Sequence, residues 1–187
     1  MLQVIFFFSF REPDNNRLLA TGIINNKNTI ESFKEEDKAQ ILKNEGEELL
    51  KIIKKEAVEQ PYLLSRFYIS SFADLKKYHY YYWFAFPASS LLSYEITDLP
   101  KKISEVFNSQ QIDSLCNSYI DKLDVYNKGF FFIKQNENSL NVYSIKDGLV
   151  SIEGVATGWI FGFADSCGEK FPGWPLRNYL AFLSYHW

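Results

Sequence analysis

Any chemistry in this chain has to come from a short list of residues. There are two histidines, His79 and His186, and two cysteines, Cys116 and Cys167. His79 stands in an aromatic run and His186 beside the last residue. Neither has the His-Glu-x-x-His spacing that sets two imidazoles on one helical face around a metal. The cysteines lie far apart with no Cys-x-x-Cys, so a zinc site has no local signature. Gly162 and Gly168 enclose five residues and precede Glu169, whereas a loop that cradles phosphate needs four and then Lys. No Gly-x-Gly-x-x-Gly occurs. Cys116 falls on a helical apolar stripe and reads as an inert core thiol, and Cys167 reads as a loop thiol without a nearby histidine. Arg177 reads as a structural hydrogen-bonder rather than a phosphate clamp. The sequence thus assigns no catalytic, cofactor-binding or metal-ligating residue, and no cofactor.

The elements that carry these residues are written in an aromatic-rich chain. It has 187 residues, a formal net charge of −3, and an aromatic content of 18% from 17 Phe, 12 Tyr and 4 Trp. Large rings favour strands and bury large areas, so a strand-rich core is expected and extensive disorder is not. The charge balance argues against a grip on nucleic acid by phosphate neutralisation. Two cysteines cannot make a disulfide framework, and no Asn-x-Ser/Thr sequon occurs; both point to free thiols in a reducing, cytoplasmic setting. The opening run Met1–Phe10 lacks a basic lead and a small-residue cleavage site, and is too short to span a bilayer. It reads as a buried strand, and no membrane span is expected.

Along the chain, turn formers fill residues 11–30, with room for a short strand at Leu18–Ile24. Ser32 and Glu35 form a capping-box pattern that predicts one long helix, striped by Leu42, Gly46, Leu49, Ile53 and Ala57. Gly46 on that stripe suggests a close backbone approach. Phe67–Phe72 and Tyr78–Phe86 read as strands. The second is aromatic on both faces and is expected at the centre of a sheet, covered on both sides. Such a run could also stack single-stranded nucleic acid, but no Arg or Lys interleaves it. Ile112, Leu115, Cys116, Tyr119, Ile120 and Leu123 stripe a helix from Ser109, capped by Asn108 with Gln111. Phe130–Lys134 and Leu140–Ile145 read as a hairpin, Asp147-Gly148 as a turn-rich link, and Thr157–Asp165 as a strand bulky on one face and small on the other. Pro175 opens a last helix with Leu176, Leu180, Leu183 and Trp187 on one face. That face is expected to expose an apolar patch. The chain starts inside a strand pattern and ends on a helix without a stop signal, so both ends read as cut. The expected fold is α+β (mixed): an aromatic-rich, largely antiparallel sheet with long flanking helices, incomplete at both ends.

Two stretches carry a specific resemblance. Ser71-Phe72-Ala73-Asp74-Leu75-Lys76-Lys77-Tyr78-His79-Tyr80-Tyr81-Tyr82-Trp83-Phe84 and Phe171-Pro172-Gly173-Trp174-Pro175-Leu176-Arg177-Asn178-Tyr179-Leu180 resemble, in this order, segments of the N-terminal domains of the autophagy activating enzymes (the autophagy-related protein 7 family). Asn28–Lys34, Phe107–Leu123 and Phe132–Lys134 are similar to further segments of that domain. The resemblance covers nearly the whole chain. It lacks the family domain's opening helical segment and its continuation after Trp187. It also lacks the C-terminal adenylation domain, with its nucleotide loop, catalytic cysteine and zinc cysteines, so neither Cys116 nor Cys167 inherits a catalytic role. The resemblance implies that residues 1–187 are part of a non-catalytic domain that recruits the conjugating enzymes of autophagy, with the remainder of the activating enzyme as a further partner. Two other readings stay open: a piece of a complete ATP-dependent, ubiquitin-like modifier-activating enzyme, or a remnant without a partner.

Overall fold

A computed structural model describes residues 4–8 as backbone, and residues 18–89, 93–152, 158–165, 167 and 172–186 with their side chains. The chain forms two compact units, each with its own sheet. The expectation of mixed helices and sheets holds. The strands divide into two open sheets, with three antiparallel and two parallel pairings.

The first unit holds strands β1 (Val4–Phe8), β5 (Phe130–Gln135), β6 (Leu140–Tyr143) and β7 (Trp159–Asp165) in the order β1-β7-β5-β6. β1 runs parallel to β7, and the other neighbours are antiparallel. In β5 and β7 every second residue points to the same face. Phe131, Ile133, Ile160 and Ala164 meet Leu115 of helix α4 (Ser109–Lys122) and Leu123 at its C-cap in one core cluster. On the opposite face Phe130 stacks on Phe163 and Phe132 packs edge-on against Phe161. Both faces are buried, as central strands require. Gly162 permits this packing: a Cβ there would lie 2.2 Å from the Phe131 ring. The alternation of bulky and small residues in β7 thus has the close neighbour it implied.

α4 begins as its sequence dictates, with Asn108 and Gln111 in a reciprocal capping box. It runs along β6, the edge strand. The outward backbone N–H groups of Leu140 and Val142 donate to the hydroxyls of Ser114 (2.9 Å) and Ser118 (2.8 Å), one helical turn apart. The edge is therefore closed by a helix instead of a strand. The Asp147-Gly148 segment is not a loop. Ser144 caps a short helix, α5 (Ile145–Ser151), whose Gly148 lies against the ring of Phe132. A four-residue helix, α3 (Ile103–Val106), precedes α4.

The second unit holds β2 (Thr21–Asn26), β3 (Arg66–Asp74) and β4 (His79–Ala85), in that order. β2 is parallel to β3, and β3 is antiparallel to β4 across the turn Leu75–Tyr78. The predicted long helix is two helices, α1 (Ile30–Lys34) and α2 (Lys38–Lys54). Thr29, not Ser32, caps the first, and Asp37 restarts the second by accepting from the Gln40 backbone N–H at 2.9 Å. A second strong cap inside the periodic run breaks it. α2 buries Glu45, Leu49, Ile52 and Ile53, and Glu45 meets Arg66 of β3 at 2.6 Å. Gly46 has no neighbour within 4 Å of a would-be Cβ. The close approach read from the sequence is absent, because the buried face is turned one residue toward Glu45.

The last helix, α6 (Pro175–His186), starts at Pro175 as expected. It buries Leu176, Tyr179, Ala181, Phe182 and Leu183, with Leu180 half-buried. The apolar patch expected from Leu176, Leu180 and Leu183 is thus absent, and Trp187 lies outside the described residues, as do Met1–Gln3, Ser9 and Phe10. Among the described residues no helix is long and apolar enough to cross a membrane.

Two glycine substitutions should separate helix propensity from packing. Gly46→Ala is expected to stabilise the chain by about 1 kcal/mol through helix propensity alone. Gly162→Ala is expected to destabilise it by about 1–3 kcal/mol, because the Phe131 ring must move. Urea unfolding midpoints of the two variants should shift in opposite directions.

Candidate functional site

The residues with chemical potential are dispersed. His79 opens β4, exposed and edge-on to the Tyr81 ring. His186 ends α6, with Nε2 3.0 Å from the carbonyl oxygen of Ile53 and its ring packed on Phe182. Cys116 is exposed, contrary to the reading of a core thiol. α4 turns Gln111, Leu115 and Ser118 inward to reach β6, which leaves Cys116 and Ile120 outside. Cys167 is half-buried, and its backbone N–H donates to Asp165 at 2.9 Å. The other Asp165 oxygen accepts from the Gly173 N–H at 2.6 Å, so one carboxylate ties two points of this loop. Gly162 lies inside β7, and Gly168 lies outside the described residues. Among the described residues no group of three His, Cys, Asp or Glu is placed to hold a metal.

In the second of the two distinctive stretches an exposed pair, Trp174 and Arg177, stands beside buried residues that join α6 to its unit. The Arg177 guanidinium lies over the Trp174 ring, 5.4 Å from its centroid. Asn178 is buried and uses its whole amide. Nδ2 donates to the carbonyl oxygens of Leu64 (2.9 Å) and Pro87 (3.0 Å), and Oδ1 accepts from the Ser89 N–H (3.2 Å). One side chain of α6 thus satisfies backbone groups before β3 and after β4. The sequence pattern assigns Asn178 no role. Its signal is a short amide next to the apolar positions Leu176, Tyr179 and Phe182 of the helix.

The first distinctive stretch builds the three-stranded sheet, whose two faces differ. On the inner face Phe33 of α1 meets Tyr81, Phe72 stacks on Tyr81, and Tyr68 tilts against Trp83. Glu36 reaches the same side and accepts from Lys27 at 2.6 Å, with Asn25 and the Tyr68 hydroxyl each at 3.5 Å. Burial pushes the Glu36 carboxyl up, but the Lys27 ammonium and the neighbouring hydroxyls outweigh it and hold the group below the usual carboxylate range.

The outer face is open. Tyr80 is 76% exposed, Tyr82 72% and Phe84 43%, with Ile24 of β2 exposed on the same face across β3. Phe67 stacks on Phe84, and Phe86 meets Phe84 edge-on at 4.5 Å. This corrects the expectation for the aromatic strand. Among the described residues β4 is an edge strand, and the two-sided burial read from its pattern belongs to β5 and β7. A contiguous exposed row of rings of this kind marks a surface for binding another molecule. It is the feature of the described residues that best fits a functional site.

Comparisons with known proteins identify the family. Residues 7–187 match the family described as the ubiquitin-like modifier-activating enzyme ATG7 N-terminus. The human ubiquitin-like modifier-activating enzyme ATG7 is 38% identical over 175 residues, which cover 90% of this chain and 25% of the relative. The chicken (Gallus gallus) protein of the same name is 38% identical over 177 residues, 90% of this chain and 24% of the relative. The chain therefore spans about a quarter of the length of these relatives. Among solved structures, the Kluyveromyces marxianus Atg7NTD-Atg10 complex superposes with a TM-score of 0.56 at 28% identity, covering 94% of this chain and 58% of the other.

Two substitutions probe the supports of the sheet. Asn178→Ala leaves two carbonyls and an N–H without their partner, and is expected to lower stability by about 3 kcal/mol in denaturant unfolding. Glu36→Gln tests the acid limb. A carboxyl depressed in the folded state stabilises the fold above its unfolded pKa of about 4.3, and that contribution is lost as pH falls through the folded value. The parent chain should therefore lose stability as acid is added below the usual carboxylate range, and the Glu36→Gln profile should be flatter there.

Proposed function

The chain belongs to the family of the ubiquitin-like modifier-activating enzyme ATG7 N-terminus, and on that premise we propose that it is a non-catalytic interaction domain of the autophagy conjugation system. In this reading residues 1–187 form part of the N-terminal, conjugating-enzyme-recruiting region, working in the cytoplasm. Adenylation of the modifier belongs to sequence outside this segment. The observation that carries the proposal is the open aromatic face of β4, on a chain whose fold resembles a domain crystallised with Atg10. In the second distinctive stretch the buried Asn178 serves architecture, tying backbone groups before β3 and after β4.

The physical role of such a domain is to raise effective concentration. A modifier held as a thioester on the activating enzyme must pass to the thiol of a conjugating enzyme. Tethering the acceptor makes that step intramolecular, with a local concentration on the order of millimolar for short connections. The domain then needs affinity and geometry, and no reacting group of its own. The reading of the chain as a piece of a complete activating enzyme, favoured by its covering a quarter of its relatives, gives this segment the same role.

Calorimetric titration with an Atg10-type conjugating enzyme should give saturable one-to-one binding. The same preparation should show background ATP–pyrophosphate exchange and form no thioester with a ubiquitin-like modifier. A reducible thioester on Cys116 or Cys167, formed with ATP and modifier alone, would overturn the non-catalytic reading.

A further inference from the structure

The two sheets treat their edges differently. β6 is closed by the Ser114 and Ser118 hydroxyls of α4. β4 has β3 on one side and, among the described residues, no strand on the other. Nor does its sequence blunt it: His79–Phe86 contains no Pro, no Gly and no charged Lys, Arg, Asp or Glu. Natural edges are normally broken by such residues, because a bare row of N–H and C=O groups templates another strand.

We propose that the outer edge of β4 receives an added strand from the conjugating enzyme, whose alternate apolar side chains lie across Tyr80, Tyr82 and Phe84. The inference rests on the recruitment reading above and specifies its surface. Charge selects the occupant. The hairpin tip carries Lys76, exposed, and Lys77, loosely paired with Asp74 at 3.8 Å. The incoming strand is therefore acidic at the end beside the tip. A second copy of this chain does not supply that. In a two-fold antiparallel pair each tip faces the partner copy's Pro87-Ala88-Ser89, which has no acidic group. Area argues the same way. A seven-residue edge is about 23 Å long and roughly 10 Å wide, or ~230 Å² per partner, against the ~800 Å² per partner of a stable interface. The edge alone does not hold a dimer, and a partner that also covers the aromatic face adds the missing area.

Hydrogen exchange on the whole chain, with and without an Atg10-type conjugating enzyme, tests this. Pairing should slow exchange of the outward β4 amides at least tenfold. Tyr82→Lys should weaken binding at least tenfold, whereas Ile120→Lys on α4 should not change it. Should Tyr82→Lys disturb folding, amide protection in the parent chain decides. Full-strength binding with β4 exchange unchanged would overturn the proposed surface and leave recruitment standing. Protection that grows with the chain's own concentration, without the conjugating enzyme, would overturn it in favour of a second copy. No binding by the parent chain would overturn recruitment and this inference with it.

Discussion

A core built from rings cannot satisfy a backbone. Phe and Trp bury large areas but offer almost nothing to a stranded N–H or C=O, and each buried, unsatisfied group costs about 1–3 kcal/mol. Much of the polar detail in this chain follows from that constraint. Ser114 and Ser118 satisfy the edge of β6. Asn178 satisfies three backbone groups of the second unit. Asp165 holds two loop amides. Small polar side chains sit where chain segments cross or strands end, and the aromatic packing fills the space between.

The same constraint explains what the sequence made legible. Local signals were reliable. The Asn108–Gln111 box starts α4, Pro175 opens α6, and the bulky and small faces of β7 match a ring packed on Gly162. Signals that depend on rotation or on a neighbour were not. Cys116 and Leu115 are adjacent, and either could have joined the apolar stripe. The hydroxyl of Ser118 settles the rotation, because β6 needs a donor's partner there. Gly46 fails for the same reason, one residue away from the face that Glu45 fixes through Arg66. Asp37 could be read as one more charge on a helix, and only its use as a cap shows that the helix is broken.

β4 is the instructive failure. Its alternation of rings is indistinguishable from that of a buried central strand, and the identical argument succeeds for β5. Periodicity reports that both faces are apolar. It cannot report whether a second layer arrives to cover them. A strand that looks buried by pattern and is exposed in the fold points to a layer supplied by another molecule, which is where a functional surface departs from ordinary folding rules. The proposed recruiting role follows from the resemblance of the distinctive stretches, whereas the proposed surface follows only from the fold.

On the recruitment reading, the two faces of the small sheet have complementary tasks. A surface that binds must not lose its affinity to its own ordering. The inner face is the packed one, with Phe33 against Tyr81, Tyr68 against Trp83, and the Glu36 side chain, only 6% exposed, joined to Lys27. Behind such a backing the outer rings need no further support, and tyrosine suits them: it presents area with few rotatable bonds, and its hydroxyl stays wet when the surface is empty. That chemistry also limits affinity, which recruitment requires. A conjugating enzyme has to leave once it is charged. An edge strand with a modest aromatic patch binds strongly enough to position a thiol and weakly enough to release it. A wholly apolar groove of obligate-interface size would hold the product as firmly as the substrate.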